Sequence, residues 1–192
     1  YGIQVKRPGG RGDMRVTWRQ LDIPGLALSS GASVSDARGS FTKVLSGAEP
    51  LLGDFEAREI YWTQSARGVL RAMHFQLPPE ATSKLVFVIS GEIRDFVLDL
   101  RTGSPTERKL VEVTLTPTDG ALLVPKGCAH AYEAMEDDTV VCYAQDVPFE
   151  SPECYGGIRP DSAGIVAHSP TPVMLERDLE LPALDDFTSP FI

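Results

Sequence analysis

The sequence predicts an all-β chain of the jelly-roll kind, and three observations carry that expectation. Glycine (17) and proline (15) are frequent among the 192 residues and fall between short apolar runs, without gathering into one linker. The runs themselves are of strand length, and they either alternate or are rich in β-branched and aromatic residues. No segment shows a long 3.6-residue period, and no internal repeat or low-complexity tract is present. Regularly spaced short strands of this kind close into a sandwich or barrel.

In chain order, Met14–Gln20 alternates and is expected to form a first strand. Ser35–Gly39 reads as a turn into a strand Ser40–Leu45, because Asp and Gly supply turn conformations. Gly53–Ala57 is expected to be a loop or a short helical turn. Glu59–Thr63 is aromatic and β-branched, and Val69–Gln76 follows it and is stopped by Pro78-Pro79. Lys84–Ser90, KLVFVIS, is the clearest strand, and Gly91-Glu92 turns it into Ile93–Leu100 at hairpin distance. Thr102–Pro105 is a turn, Lys109–Leu115 alternates, and Ala121–Val124 is stopped by Pro125. Thr139–Gln145, TVVCYAQ, is the last strand. Beyond Pro148 the chain is irregular and Pro-containing, with a short helix near Met174–Leu179.

A length of 192 residues suits a single domain over 1–192, with an N-terminal arm over 1–25 and a C-terminal arm over 150–192 packed across the barrel or a partner. Hydrophobic residues make up 42% and charged residues 23%, which is a globular balance. The formal net charge is -9. That sign opposes nonspecific nucleic-acid binding, which needs a basic face to release counterions, and opposes docking on an anionic membrane surface. It leaves room for a small anionic ligand, because a few cations in one cleft override the global charge. No apolar run is long enough to span a membrane, and the opening YGIQVKRPGGRGD is basic without an apolar run, unlike a signal peptide. The three cysteines, Cys128, Cys142 and Cys154, lack paired short spacing, so reduced thiols in a cytoplasmic protein are expected.

Chemistry narrows to three histidines, His74, His130 and His168. His130 closes GALLVPKGCAH, where a Pro-Gly turn precedes the histidine; the pattern is similar to the second cupin motif, which projects a histidine into the barrel. By chemistry alone, His130 is equally well a core histidine hydrogen-bonded to a carboxylate. His74 lies in VLRAMHFQ, where metal-binding cupins carry His-x-His and a nearby Glu; here the pair is His74 and Gln76. First-row metals want three or four strong ligands, so no metal is expected, and both histidines are left for acid–base work.

The segment GVLRAMHFQLPPEATSKLVFVISGEIRDFVLDLRTGSPT, residues 68 to 106, resembles the core of the dTDP-4-dehydrorhamnose 3,5-epimerase family. The likeness resumes at VPKGCAHAY, TVVCYAQ, GGIRPD and PVMLERD, and DARGSF, which includes Phe41, resembles the family's Arg-Gly-Phe turn. The resemblance implies a cupin jelly roll without a cofactor, acting on a nucleotide-linked 4-keto-6-deoxy sugar. A base removes the acidic proton at C3 or C5, an enolate forms, and an acid returns a proton to the opposite face. The resemblance places the base at His74, its orienting carboxylate at Asp178 and the acid at Tyr143. Lys84 and Arg71 match cationic positions near the keto oxygen and diphosphate. Arg38 matches an arginine that reaches the diphosphate from a partner subunit, so a homodimer is implied. Phe41 and Gln76 fall within matched motifs, His130 and Asp95 match a supporting polar pair, and Phe149 falls near the nucleotide base.

Strict strand alternation puts Arg71 and His74 on opposite faces. Both reach one cavity only if a bulge intervenes. The chain also departs from the family pattern. Ala72 stands where Gly is usual, Ser40 where a second aromatic is common, Lys43 where a Glu often helps read thymine, and Pro160 where Trp is common. EIYWTQSAR replaces a Gln-Asn-polar stretch. These drifts touch base-reading and sugar-shaping positions, so the nucleotide and the number of epimerisations stay open. The competing readings are a cupin-type nucleotide-sugar 3,4-ketoisomerase, a non-catalytic sugar-binding cupin and a metal-dependent cupin dioxygenase.

Overall fold

The computed structural model describes residues 15–46 and 49–192. Most of the expected strand Met14–Gln20 yields only Trp18–Gln20 (β1), its first residue lying outside the described residues with most of the N-terminal arm. The remaining strands are Ala27–Ser29 (β2), Ala32–Asp36 (β3), Gly39–Lys43 (β4), Glu59–Ser65 (β5), Leu70–Gln76 (β6), Lys84–Ser90 (β7), Ile93–Asp99 (β8), Leu110–Leu115 (β9), Leu122–Val124 (β10), Cys128–Ala134 (β11), Thr139–Gln145 (β12) and Tyr155–Gly157 (β13). One α-helical turn, Glu176–Leu179 (α1), and three 3₁₀ turns complete the elements among the described residues.

Two antiparallel sheets face one another. The first has the order β1-β2-β10-β7-β12-β5 and the second β13-β6-β11-β8-β9. Consecutive strands alternate between the sheets along much of the chain, which is how a jelly roll is wound. Their inner faces share one core, with Val86, Val88, Leu122 and Val141 from the first sheet against Ile93, Val97, Cys128 and Tyr132 from the second. The outer face of the second sheet is also buried. Phe75, Phe96, Leu98, Ala129 and Ala131 lie beneath Ile158, Ile165, Phe187 and Phe191 of the C-terminal segment. Phe75 meets Phe187 and Phe191 edge-on at 5.2 and 5.8 Å. That segment is also tied by a parallel bridge between Val69 and Val173.

Four strands lie where no strand was expected. β11 is buried at all seven positions, so it carries no polar alternation, and its alanines have low strand propensity. β2 and β13 are three residues each. β3 pairs with β4 through a hairpin tighter than the expected turn, with Asp36 opposite Gly39. The expected helical turn at 53–57 is a 3₁₀ turn at Pro50–Leu52, where Pro presets the first turn. The C-terminal helix is confined to Glu176–Leu179. The expected turn at Gly91 holds: its φ is 81°, a conformation glycine reaches without strain.

β6 contains the bulge that the expected site demands. Against β11, His74 pairs with His130 and Arg71 with Tyr132, so Ala72 and Met73 together oppose Ala131. Both bulged residues are fully buried. The extra residue resets the alternation and turns Arg71 and His74 to the same side.

Candidate active site

Between the sheets, beside the apolar core, a cavity of about 610 Å³ opens to solvent. The first sheet supplies two rows to its wall. Glu59, Gln145 and Lys84 are cross-strand partners in one row, and Tyr61 and Tyr143 in the next. From the second sheet come Arg71, His74 and Gln76 of β6 and His130 and Tyr132 of β11. Tyr155 and Phe149 stand at one end, and Val173, Met174, Arg177 and Asp178 close the side toward the C-terminus.

His74 Nε2 lies 2.9 Å from Asp178 Oδ1. Asp178 is reached from α1, across 104 residues of sequence, and its side chain is 3% exposed against 25% for His74. The carboxylate accepts a hydrogen bond from Nε2–H, which leaves Nδ1 as the basic nitrogen. Burial pushes the His74 pKa below its usual 6.5, Asp178 pulls it back up, and the charges of Lys84 and Arg177 push it down again; the net shift is downward. The imidazole is therefore neutral near pH 7, as a base must be.

A second pair lies alongside. His130 Nε2 is 2.7 Å from Asp95 Oδ2, with side-chain exposures of 5% and 0%. Asp95 sits behind the cavity wall, so it holds His130 and does not itself reach a ligand. Burial raises the Asp95 pKa, against the opposing pull of His130 and Lys84. Its Oδ1 has no hydrogen-bond partner among the described residues.

Tyr143 is 6% exposed, and burial holds its pKa well above 10, so it keeps its proton. Lys84 is also buried. Desolvation brings its pKa down to about 8, partly offset by Asp95. It is a cation in a dry wall, where charge acts strongly on a developing anion. Arg71 donates to Ser65 Oγ at 3.1 Å and to the Gln64 carbonyl at 3.2 Å, and Ser65 in turn contacts the Tyr132 hydroxyl at 2.9 Å.

Gln76 lines the cavity, but its Nε2 donates to the carbonyls of Glu80 and Pro148, so it fastens the loops and keeps only its oxygen for a ligand. Arg38 and Phe41 are absent from the cavity of their own chain. They sit on the β3–β4 hairpin, which pairs with neither main sheet, and Arg38 is held at the hairpin tip by Asp36. Phe149 does line the cavity. Its ring meets Tyr155 at 6.0 Å and its N–H donates to Glu59 Oε2 at 3.3 Å.

Tyr61, Thr63, Tyr132, Gln145, Tyr155 and Arg177 also line the cavity and were not expected there. The period-2 alternation of EIYWT marks Glu59, Tyr61 and Thr63 as one face, a signal available in the sequence. Tyr132 and Tyr155 lie on or beside strands the sequence did not announce. Among the described residues, no three His, Cys, Asp or Glu side chains converge as a metal site. No described helix is long and apolar enough to cross a membrane.

Comparison with known proteins adds three kinds of finding. The family model of dTDP-4-dehydrorhamnose 3,5-epimerase matches residues 20–186. The dTDP-4-dehydrorhamnose 3,5-epimerase of Streptomyces griseus is 33% identical over 172 residues, covering 86% of each chain. Among solved structures, NovW, a 4-keto-6-deoxy sugar epimerase of Streptomyces spheroides, superposes with a TM-score of 0.84 at 26% identity, covering 89% of this chain and 88% of that one. The Legionella pneumophila epimerase in complex with dTDP-4-keto-L-rhamnose superposes with a TM-score of 0.82 at 25% identity, covering 93% of this chain and 99% of that one.

Proposed function

The chain belongs to the dTDP-4-dehydrorhamnose 3,5-epimerase family, and from that premise we propose that it epimerises a dTDP-linked 4-keto-6-deoxyhexose at C3, C5 or both. The observation that carries the chemistry is the placement of base and acid. His74, backed by Asp178, faces the cavity from one sheet, and Tyr143 faces it from the other. A sugar ring lying between the sheets meets the imidazole on one face and the phenol on the other, which is what inversion requires.

The 4-keto group acidifies the C–H bonds at C3 and C5. His74 Nδ1 takes one of these protons, and Asp178 stabilises the imidazolium that forms. The electron pair moves onto the keto oxygen as an enolate. Lys84 stabilises that charge, with Arg71 and His130 nearby in the same wall. Tyr143 then donates its proton to carbon from the opposite face, and the carbonyl re-forms. His74 ends protonated and Tyr143 ends as phenolate; proton exchange through the open cavity restores both. No electron leaves the substrate, so the cycle balances without an oxidant. Phe149 at the rim suits the flat nucleobase, with Glu59 beside it.

The same reading includes a homodimer in the cytoplasm. Among the described residues β5 is one edge of the first sheet, and Ile60, Trp62 and Ile89 are exposed on that sheet while Phe41 and Val34 are exposed on the hairpin. A second copy would cover these groups and give Arg38 a route to the partner's diphosphate. A solution mass near the 20.9 kDa of one chain contradicts the dimer.

The deciding experiment incubates the protein with the dTDP-linked 4-keto-6-deoxyhexose in deuterated water and follows C3 and C5 by NMR. Deuterium entering at one or both carbons, with the carbonyl still at C4, is the expected result. A carbonyl that migrates to C3 identifies a ketoisomerase, and no deuterium at either carbon overturns the reading.

A further inference from the structure

The four described tyrosines, Tyr61, Tyr132, Tyr143 and Tyr155, all line the cavity. Tyr132 is anchored through its hydroxyl to Thr63 and Ser65, at 2.8 and 2.9 Å. Tyr155 lies beside His74, with its ring 5.1 Å from the imidazole. Tyr61 is different, because what it touches is the acid.

Tyr61 and Tyr143 are direct cross-strand partners on β5 and β12. Their rings are stacked, with centroids 4.9 Å apart and planes 13° from parallel. On a second side, His130 meets the Tyr143 ring edge-on at 5.9 Å and 81°. His130 is itself fixed by Asp95. The Tyr143 ring is therefore clamped between a parallel ring and a perpendicular one. Of the two clamps, His130 is 5% exposed, while Tyr61 is 36% exposed on a strand at one edge of the described first sheet, so Tyr61 is the one whose removal disturbs the interior less.

C3 and C5 flank the carbonyl carbon of a 4-keto sugar, so one acid serving both must present its hydroxyl at two places. A ring free to swing about its two side-chain torsions can do so, whereas a clamped ring favours one. We infer that Tyr61 is a positioning residue that holds Tyr143 in a single orientation and thereby sets how reprotonation is divided between C3 and C5. This rests on the epimerase reading above.

The test compares the ratio of deuterium entering C3 to that entering C5 in the wild type, Tyr61→Phe and Tyr61→Leu, with Tyr61→Val as a second ringless variant suited to a strand. The ratio is internal to each sample, so it does not depend on how much protein is folded. Tyr61→Phe keeps the ring and is expected to keep the wild-type ratio. The ringless variants are expected to shift it by about three- to tenfold, the scale of one lost aromatic pair. If the wild type labels one carbon only, Tyr61→Leu is expected to admit label at the other. Exchange in the wild type with an unchanged pattern in both ringless variants overturns this inference and leaves the epimerase reading standing. A ratio that moves as far in Tyr61→Phe as in Tyr61→Leu also overturns it, since the hydroxyl would then matter and not the ring. Absence of exchange in the wild type overturns both.

Discussion

The His74–Asp178 and His130–Asp95 pairs are the same chemical unit in two settings. In each, a histidine Nε2 meets a carboxylate at hydrogen-bond distance, and the two histidines face one another across β6 and β11. The settings differ in where the carboxylate comes from and what the ring can reach. Asp95 sits on β8, hydrogen-bonded directly to β11, and its pair is buried between the sheets, with only the His130 ring at the cavity wall. Asp178 arrives from the C-terminal turn, and its histidine keeps one side open to the cavity. In the more buried pair Asp95 belongs to the scaffold, and its removal should be felt as lost stability. The open pair can exchange a proton with a ligand, and its removal should be felt as lost rate.

The largest test of this contrast is His74→Asn, whose amide can still donate to Asp178 but cannot serve as a base at neutral pH. Deuterium exchange should fall on the order of a thousandfold, with the urea midpoint nearly unchanged. Exchange within tenfold of wild type removes His74 from the base role. Next comes Asp95→Ala, which leaves a largely buried polar ring without its partner and should cost about 3 kcal/mol of stability, while exchange per folded molecule stays within about tenfold. Full stability with lost exchange would mean that both pairs belong to the chemistry, and the contrast fails.

The smallest effect is in the pH profile of kcat/KM. The His74 pKa is lowered, so the neutral, active imidazole persists until the pH falls below 6.5, and the acid limb should lie under that value. Asp178 raises the pKa of His74, so Asp178→Asn should move the acid limb further down as well as lowering the rate. On the alkaline side Lys84, with its pKa brought to about 8, should lose its charge as the pH rises through that value. Lys84→Arg keeps the charge and should push that limb upward. An alkaline limb unmoved by Lys84→Arg assigns it to another group.

Much of this was legible in the sequence, and the failures have physical causes. β7 and β12 carry dense β-branched and aromatic residues bounded by clear turn signals, and the structure places both at the residues expected, Lys84–Ser90 and Thr139–Gln145. β11 was invisible for the opposite reason. It is covered on both faces, by the shared core within and the C-terminal segment without, so its residues neither alternate nor favour strands. Of the expected site residues, His74, Tyr143, Asp178, Lys84, Arg71 and His130 converge on one cavity. Their roles came from the resemblance to the epimerase family, carried by motifs that keep their order as the sequence drifts. The tyrosines at 61, 132 and 155 escaped notice because aromatic residues on strands read equally well as core. Arg38 and Phe41 lie outside it, because the β3–β4 hairpin that carries them pairs with neither main sheet.

The bulge in β6 has a consequence for how this strand can change over time. Side chains along a strand have parity, odd positions to one face and even to the other, and the doubled position at Ala72 and Met73 flips that parity once. Everything downstream, including His74, Gln76 and the register with β13, inherits the flip. Substitutions at 72 or 73 alter packing locally, because both side chains are fully buried. Losing either residue would leave one residue opposite Ala131 and restore regular pairing, with Arg71 and His74 still on one face; a residue lost between His74 and Gln76 would instead turn the two to opposite faces. The bulge is therefore the place in β6 where residue number can change by one without turning the site residues over, and elsewhere in the strand length changes should be confined to the loops.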